Sequence, residues 1–195
     1  MSFLDAAELK ALGLAGYGKN VLISNKCSIY GHAKIELGDD VRIDDFCVLS
    51  AGNGGIKIGS YIHMAVYSSL IGRGEIRVCD FANISSRVSV YSSNDDYSGM
   101  HMTNPMIDEA FTGVNHQKVF IGRHAIIGSG SIILPGVTIE DGVAIGALSL
   151  VNRDCKAFGI YTGAPARKMG ERKRDILALE QKFLASRNDK KCSRM

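Results

Sequence analysis

Between Ile121 and Val151 an aliphatic residue stands at every sixth position: Ile121, Ile127, Ile133, Ile139, Ile145 and Val151. Four places after each of the first five comes a second small or apolar residue, Ala125, Ser131, Val137, Val143 and Ser149. A helix repeats its apolar positions about every 3.6 residues and a half-buried strand every two, so neither produces this spacing. A period of six fits a chain that turns a corner every six residues and closes a triangle in about 18. Each short side then stacks as parallel β on the rung below, and the pattern predicts a hexapeptide-repeat solenoid.

The same period begins at Ile23 and passes through Ile29, Ile35, Val41 and Cys47. AGNGG (51–55) interrupts it as a small loop. It resumes at Ile56 and Ile62, falters at Ser68, and re-forms as Leu70, Ile76, Ala82 and Val88. From Asn94 to Lys118 the period is absent and turn residues are dense, which predicts a loop extruded from one corner toward a ligand or a neighbouring subunit. FLDAAELKALGL (3–14) predicts a short helix over the open first rung, with Ser2 as its cap and Phe3, Leu4, Leu9 and Leu12 on one side. A C-terminal helix is expected over 172–185, packing through Ile176, Leu179, Phe183 and Leu184, followed by a tail, NDKKCSRM, without fixed structure. With 22 Gly and 3 Pro, the corners are expected to be Gly, Asn and Asp turns. The whole is one domain, 1–195: a cap (1–20), coils (21–93 and 119–156), the loop (94–118), then a turn, helix and tail (157–195).

Composition narrows the function. No apolar run approaches the roughly 18 residues a membrane span needs, and MSFLDAAELK lacks the basic, then apolar, character of a secretory leader. Five scattered cysteines (27, 47, 79, 155, 192) form no CxxC pair and point to a reducing cytoplasm rather than disulfides or a metal site. The net charge is +3, but residues 167–195 hold ten Lys or Arg against four acids. Most of that excess suits a solvated helix, while Arg167 and Lys168 suit a phosphorylated ligand. Nucleic acid is not expected, because the basic residues are not interleaved with stacking aromatics.

The repeats from 23 to 151, the interruption, and the ending IGALSLVNRDCKAFGIYTGAPARKM resemble the left-handed β-helix acyltransferases. The likeness is to the galactoside and maltose O-acetyltransferases and their polysaccharide-modifying relatives, over roughly residues 20–170. It implies an all-β, left-handed parallel β-helix with a short N-terminal helix, an extruded loop and a C-terminal helix. It also implies acetyl-CoA as co-substrate and a homotrimer with sites in the clefts between prisms; no metal is expected, because His116 and His124 are eight apart, His101 lies in the loop and no HxxxxH occurs. By motif, the pantetheine arm would follow Ser129 in IIGSGS, Ala147 in IGALS and Asn152–Arg153 in LVNRD, with Arg167 of GAPAR at the 3′-phosphate. The same Ser129 and Ala147 also suit plain repeat positions. The acceptor implied is a sugar or nucleotide-linked amino sugar of surface polysaccharide synthesis, acetylated on a hydroxyl or an amine.

The chain departs from that pattern at the base. Such transferases carry a histidine just after the coil that precedes the loop, since histidine titrates near neutrality. Matched coil to coil from CDFANISSRVSV onward, the place falls on Asp95 in SSNDDYSG. Three replacements stay open: His116 of VNHQKV swinging into the cleft, Asp95 itself acting on an amine, or Asp95 and Asn94 only orienting the acceptor. His63 is a more distant candidate on a coil expected to line the acceptor cleft. Asp96, Tyr97 and Asn104 are expected to contact the acceptor from the loop. His32 and His124 read as surface turns. The other classes considered are a γ-carbonic-anhydrase-like trimer with an interface metal and a silent scaffold. GAPARKM favours the transferase, because neither of the others needs a basic turn beside the last coils.

Overall fold

The structure, a computed structural model, describes residues 2–192, with side chains as far as Arg187. Three mainly parallel sheets of six, eight and six strands form the faces of a prism, and one coil visits each face in turn. A representative coil runs through Ile76–Val78 on the first face, Asn83–Ile84 on the second and Ser89–Tyr91 on the third. The next continues, after the loop, through Val119–Ile121, Ile126–Ile127 and Ile132–Ile133. The fold is the expected left-handed parallel β-helix.

Register explains the six-period. Ile76 pairs with Val119, Ile84 with Ile127 and Val90 with Ile133, so like positions stack into columns that point inward. Ile121, Ile127, Ile133 and Ile139 are fully buried, as are Ala125, Ser131 and Val143. Each isoleucine so placed contributes about 1.5–3 kcal/mol of burial. The expected falter at Ser68 is not one. Ser68 is fully buried, its Oγ donates to the Ser85 carbonyl (2.8 Å) and accepts the Val88 amide (3.3 Å), and the coil keeps step.

Some left-handed corners are the Gly, Asn and Asp positions expected, such as Asn20, Asp40, Gly130, Gly136 and Gly142, but others are not. Phe46, Tyr61, Tyr67, Phe81, Arg87 and His124 all adopt positive φ between 57° and 62°. A left-handed conformation costs such residues roughly 1–2 kcal/mol each. Stacking between successive rungs offsets it: Tyr61 lies 4.6 Å from Phe81, Phe81 5.0 Å from His124, and Phe46 5.0 Å from Tyr67. Aromatic pairs in this geometry contribute about 0.5–1.5 kcal/mol beyond burial.

The N-terminal helix α1 (Ala6–Ala11) is shorter than expected and is capped by Asp5, not Ser2, in a capping box with Glu8. Leu4, Leu9 and Leu12 pack on the core, whereas Phe3 lies under the Arg42 guanidinium. The C-terminal helix α2 (Asp175–Cys192) extends through much of the segment expected to lack structure; 193–195 lie outside the described residues. Leu179 points outward, 60% exposed. The helix instead docks through Phe183, edge-on to Tyr61 and Phe81, and through Glu180, which takes hydrogen bonds from Arg123 and pairs with His124 at 2.5 Å. His124 is therefore buried under the helix rather than a surface turn.

Glu180 generates a pH dependence. The Arg123 guanidinium, then His124, hold its carboxyl down at about 2. A carboxyl depressed in the folded state stabilises above its unfolded value, near 4.3, and loses that contribution as pH falls toward 2. Protection of the α2 amides, that is exchange corrected for the intrinsic rate at each pH, is expected to fall between pH 4.5 and about 2.5 in the native chain. Glu180→Gln is expected to be less protected at neutral pH with no further loss of protection over that window; a native helix whose protection does not change with pH would contradict the docking role.

Candidate active site

The break in the repeat is a hairpin-based excursion from the corner between the third and first faces. Ser93–Asn94 pairs antiparallel with Asn115–His116, bringing Ser93 opposite His116. Inside the loop the Asp96 carboxylate accepts from the Ser98 amide (2.8 Å), the Ser98 hydroxyl (2.9 Å) and the His101 amide (3.0 Å). The Ser98 amide and hydroxyl hold that carboxyl far below the usual range. Asp108 caps the 3-10 turn Glu109–Phe111 through the Ala110 amide (2.9 Å).

The hairpin base separates two cavities. One, about 820 Å³, lies toward earlier coils, between the loop and the corner segments around Gly52 and Gly72; Asp95 and His116 both line it. The other, about 470 Å³, lies toward later coils and is walled by Tyr97, Ile132 and Leu150. Asp95 stands on the wall of both.

His116 is held from behind. The Arg73 amide donates to Ser93 Oγ at 2.7 Å, and that oxygen lies 2.7 Å from His116 Nδ1. A Ser93 hydroxyl that gives its proton to Nδ1 while accepting the Arg73 amide would leave the ring proton of a neutral His116 on Nε2. Neither Ser93 nor Arg73 was legible as part of a site. Their contacts join residues 20 or more apart, through a register that only the closed coil defines.

The other sequence candidates divide. Asn94 and Tyr97 line the later-coil cavity and Asn104 the earlier one. Asp96 is occupied within the loop, including a 3.2 Å contact to His101. His63 sits on the second face, where Nε2 meets Asp44 at 2.8 Å, and Asp44 also takes Arg42 at 2.7 Å. His63 lines neither cavity in its own chain.

The cofactor candidates split between two corners. Ser129 and Ala147 are exposed on successive rungs of the corner between second and third faces, where the Leu148 amide donates to the Ser129 carbonyl (2.9 Å). Arg167 joins them, because its strand Arg167–Glu171 folds back on Gly159–Thr162. Asn152 and Arg153 are exposed at the opposite corner, directly after Leu150–Val151, on the side from which the loop emerges. One chain therefore carries two partial tracks.

A triangular coil of this kind with an extruded loop defines a hexapeptide-repeat protein. The bacterial transferase hexapeptide (six repeats) pattern matches residues 118–153. The chain is 53% identical, over 95% of its length and 97% of the relative's, to the dTDP-4-amino-4,6-dideoxy-D-glucose acyltransferase of Escherichia coli. It superposes with a TM-score of 0.91, at 48% identity, on AntD, an N-acyltransferase from Bacillus cereus solved with dTDP and 3-hydroxybutyryl-CoA; the match covers 96% of this chain and 98% of that one. The chain belongs to the hexapeptide-repeat acyltransferases, in the same family as these two enzymes, and is itself an acyltransferase. The likeness to a galactoside acetyltransferase, at 18% identity and a TM-score of 0.55 over 87% of this chain and 74% of that one, carries the fold alone.

Ser93→Ala is expected to release His116. In nitrogen-correlated NMR of the histidine rings, the native neutral His116 should carry its proton on Nε2, and the variant should show mixed tautomers; a native ring protonated on Nδ1 would contradict the assignment.

Proposed function

We propose that this chain is an acyl-CoA-dependent N-acyltransferase whose acceptor is the amine of a nucleotide-linked amino sugar, dTDP-4-amino-4,6-dideoxyglucose. The observation that carries this reading is the position of Asp95 on the wall shared by the two cavities. An acceptor entering from the earlier coils and a thioester from the later ones would meet at its carboxylate. An amine arrives protonated, so a nearby carboxylate suits it better than it suits a sugar hydroxyl. AntD supports the same pair of groups: it has been solved with a substituted serine and with a substituted aspartate ten positions later. One serine form holds dTDP-4-amino-4,6-dideoxyglucose and coenzyme A. In this chain Ser85 stands ten positions before Asp95. Ser85 was not singled out in the sequence, because ISS reads as an ordinary repeat corner.

In this mechanism Asp95 takes a proton from the acceptor ammonium. The freed amine attacks the thioester carbonyl, backbone N–H groups of the coil stabilise the oxyanion, and the C–S bond breaks as the amide forms, the attacking nitrogen's second proton passing to the departing coenzyme thiolate. His116, donating from Nε2, orients the acceptor, and Asn94 and Tyr97 border the path of the acyl chain. The arm follows Ser129 and Ala147, with Arg167 forking onto a phosphate; Asn152 and Arg153 contribute from the other corner.

Ser85 lies before one end of the third-face strand Ser89–Tyr91 and Asp95 beyond the other. We therefore place each site between two copies of a homotrimer, with the Ser85 corner of one against the Asp95 corner of the next. Exposed apolar residues on that face and corner, Ile132 (39%) and Leu148 (76%), support the packing. In that arrangement His63 of the facing copy borders the acceptor cleft. No helix among the described residues is long and apolar enough to cross a membrane, and Cys27, Cys47, Cys79 and Cys155 are free thiols, so we propose that the reaction takes place in the cytoplasm.

Thiol release from acetyl-CoA and 3-hydroxybutyryl-CoA, with the amino sugar nucleotide as acceptor, tests the reading. Asp95→Asn is expected to lower kcat by about 100-fold or more, and Ser85→Ala and His116→Ala by about tenfold. Near-native kcat in both Asp95→Asn and His116→Ala would show the assignment wrong.

A further inference from the structure

Arg73 is the one Lys or Arg among the described residues that line the 820 Å³ cavity; the acids there are Asp95 and Glu109. Its guanidinium is paired with Glu109, which opens the capped turn Glu109–Phe111 on the loop. Both side chains are mostly exposed, 56% and 74%, so the pair holds weakly and is screened by salt. The stem of Arg73 is fixed far better than its head. Its amide is anchored on Ser93 Oγ at 2.7 Å, and Gly52 on the rung below leaves it room: a Cβ there would stand 2.5 Å from Arg73 Cα and 3.0 Å from Cγ.

A guanidinium rooted in this way, with a head that can exchange one anion for another, is suited to a phosphate ligand. A nucleotide sugar brings a diphosphate with two negative charges into a cavity whose remaining charged groups are acidic. A planar fork meets two phosphate oxygens at once, whereas one loop carboxylate meets it in the open. We propose that Arg73 binds the diphosphate of the acceptor and that Glu109 is the internal anion it gives up when the acceptor enters. This rests on the nucleotide-sugar reading above and deepens it. The exchange selects nucleotide-linked sugars over free sugars, and it couples acceptor binding to the loop that carries Glu109.

Calorimetric titration of the full chain with dTDP, and separately with thymidine, tests the assignment at two ionic strengths. Arg73→Gln is expected to weaken dTDP binding about tenfold or more and to flatten its salt dependence, with thymidine binding unchanged. Arg73→Lys, which keeps the charge and loses the fork, is expected between the two. Glu109→Gln is expected to tighten dTDP binding about two- to fivefold, the size of an exposed ion pair. Both replaced side chains are exposed, and circular dichroism checks that the coil is retained. Native dTDP affinity in Arg73→Gln, or weaker dTDP binding in Glu109→Gln, would overturn the proposal alone. A native chain that binds neither dTDP nor thymidine would overturn the nucleotide reading and this proposal with it.

Discussion

No rung of this solenoid can bury its own side chains; each depends on the in-register rung above and below it. Val90 on Ile133 and Ile84 on Ile127 illustrate the constraint. A slip of one residue would turn these columns outward and present polar groups to the core. The same register fixes the corners. Stacked Tyr61, Phe81 and His124 hold left-handed backbone that an isolated turn would not favour, and they form the surface on which α2 docks.

Function follows from what that register leaves at the edges. A rigid triangular coil puts small residues at repeated corner positions, and a long thin cofactor needs such a wall. The loop interrupts the coil at one corner only, carrying Asp95 and His116 on a hairpin base that divides two cavities. The partial tracks then fall at opposite ends of the third face: Ser85, Ser129, Ala147 and Arg167 at one, Asp95, Asn152 and Arg153 at the other. Within one prism the strand Ser89–Tyr91 lies between these ends. Two prisms side by side can join them, and we read the site in that way.

Much of this was legible in the residues. The six-period located the inward columns, and its absence located the loop, because burial selects side chains one position at a time. Asp95 stood out as the residue at the place of an expected histidine. Other features were not legible, for physical reasons. The αL corners look like ordinary aromatic positions until the rungs stack. Ser68 looks like a flaw until its hydroxyl is seen bridging two backbone groups. Asp96 reads like its neighbour Asp95, yet local amides claim its carboxylate. Ser93 and Arg73 join the candidate site only through contacts across rungs, which no local pattern encodes.

The central claim is that the reacting groups come from two corners of different copies. Mixing chains carrying Asp95→Asn with chains carrying Ser85→Ala, after dissociation and reassembly, tests it most directly. Each variant alone should be impaired, and the mixture should recover acyl transfer well above the average of the two, because some clefts then combine an intact Ser85 corner with an intact Asp95 corner. A mixture no more active than that average, with mixed assemblies shown to have formed, would place both groups in one chain and contradict the account.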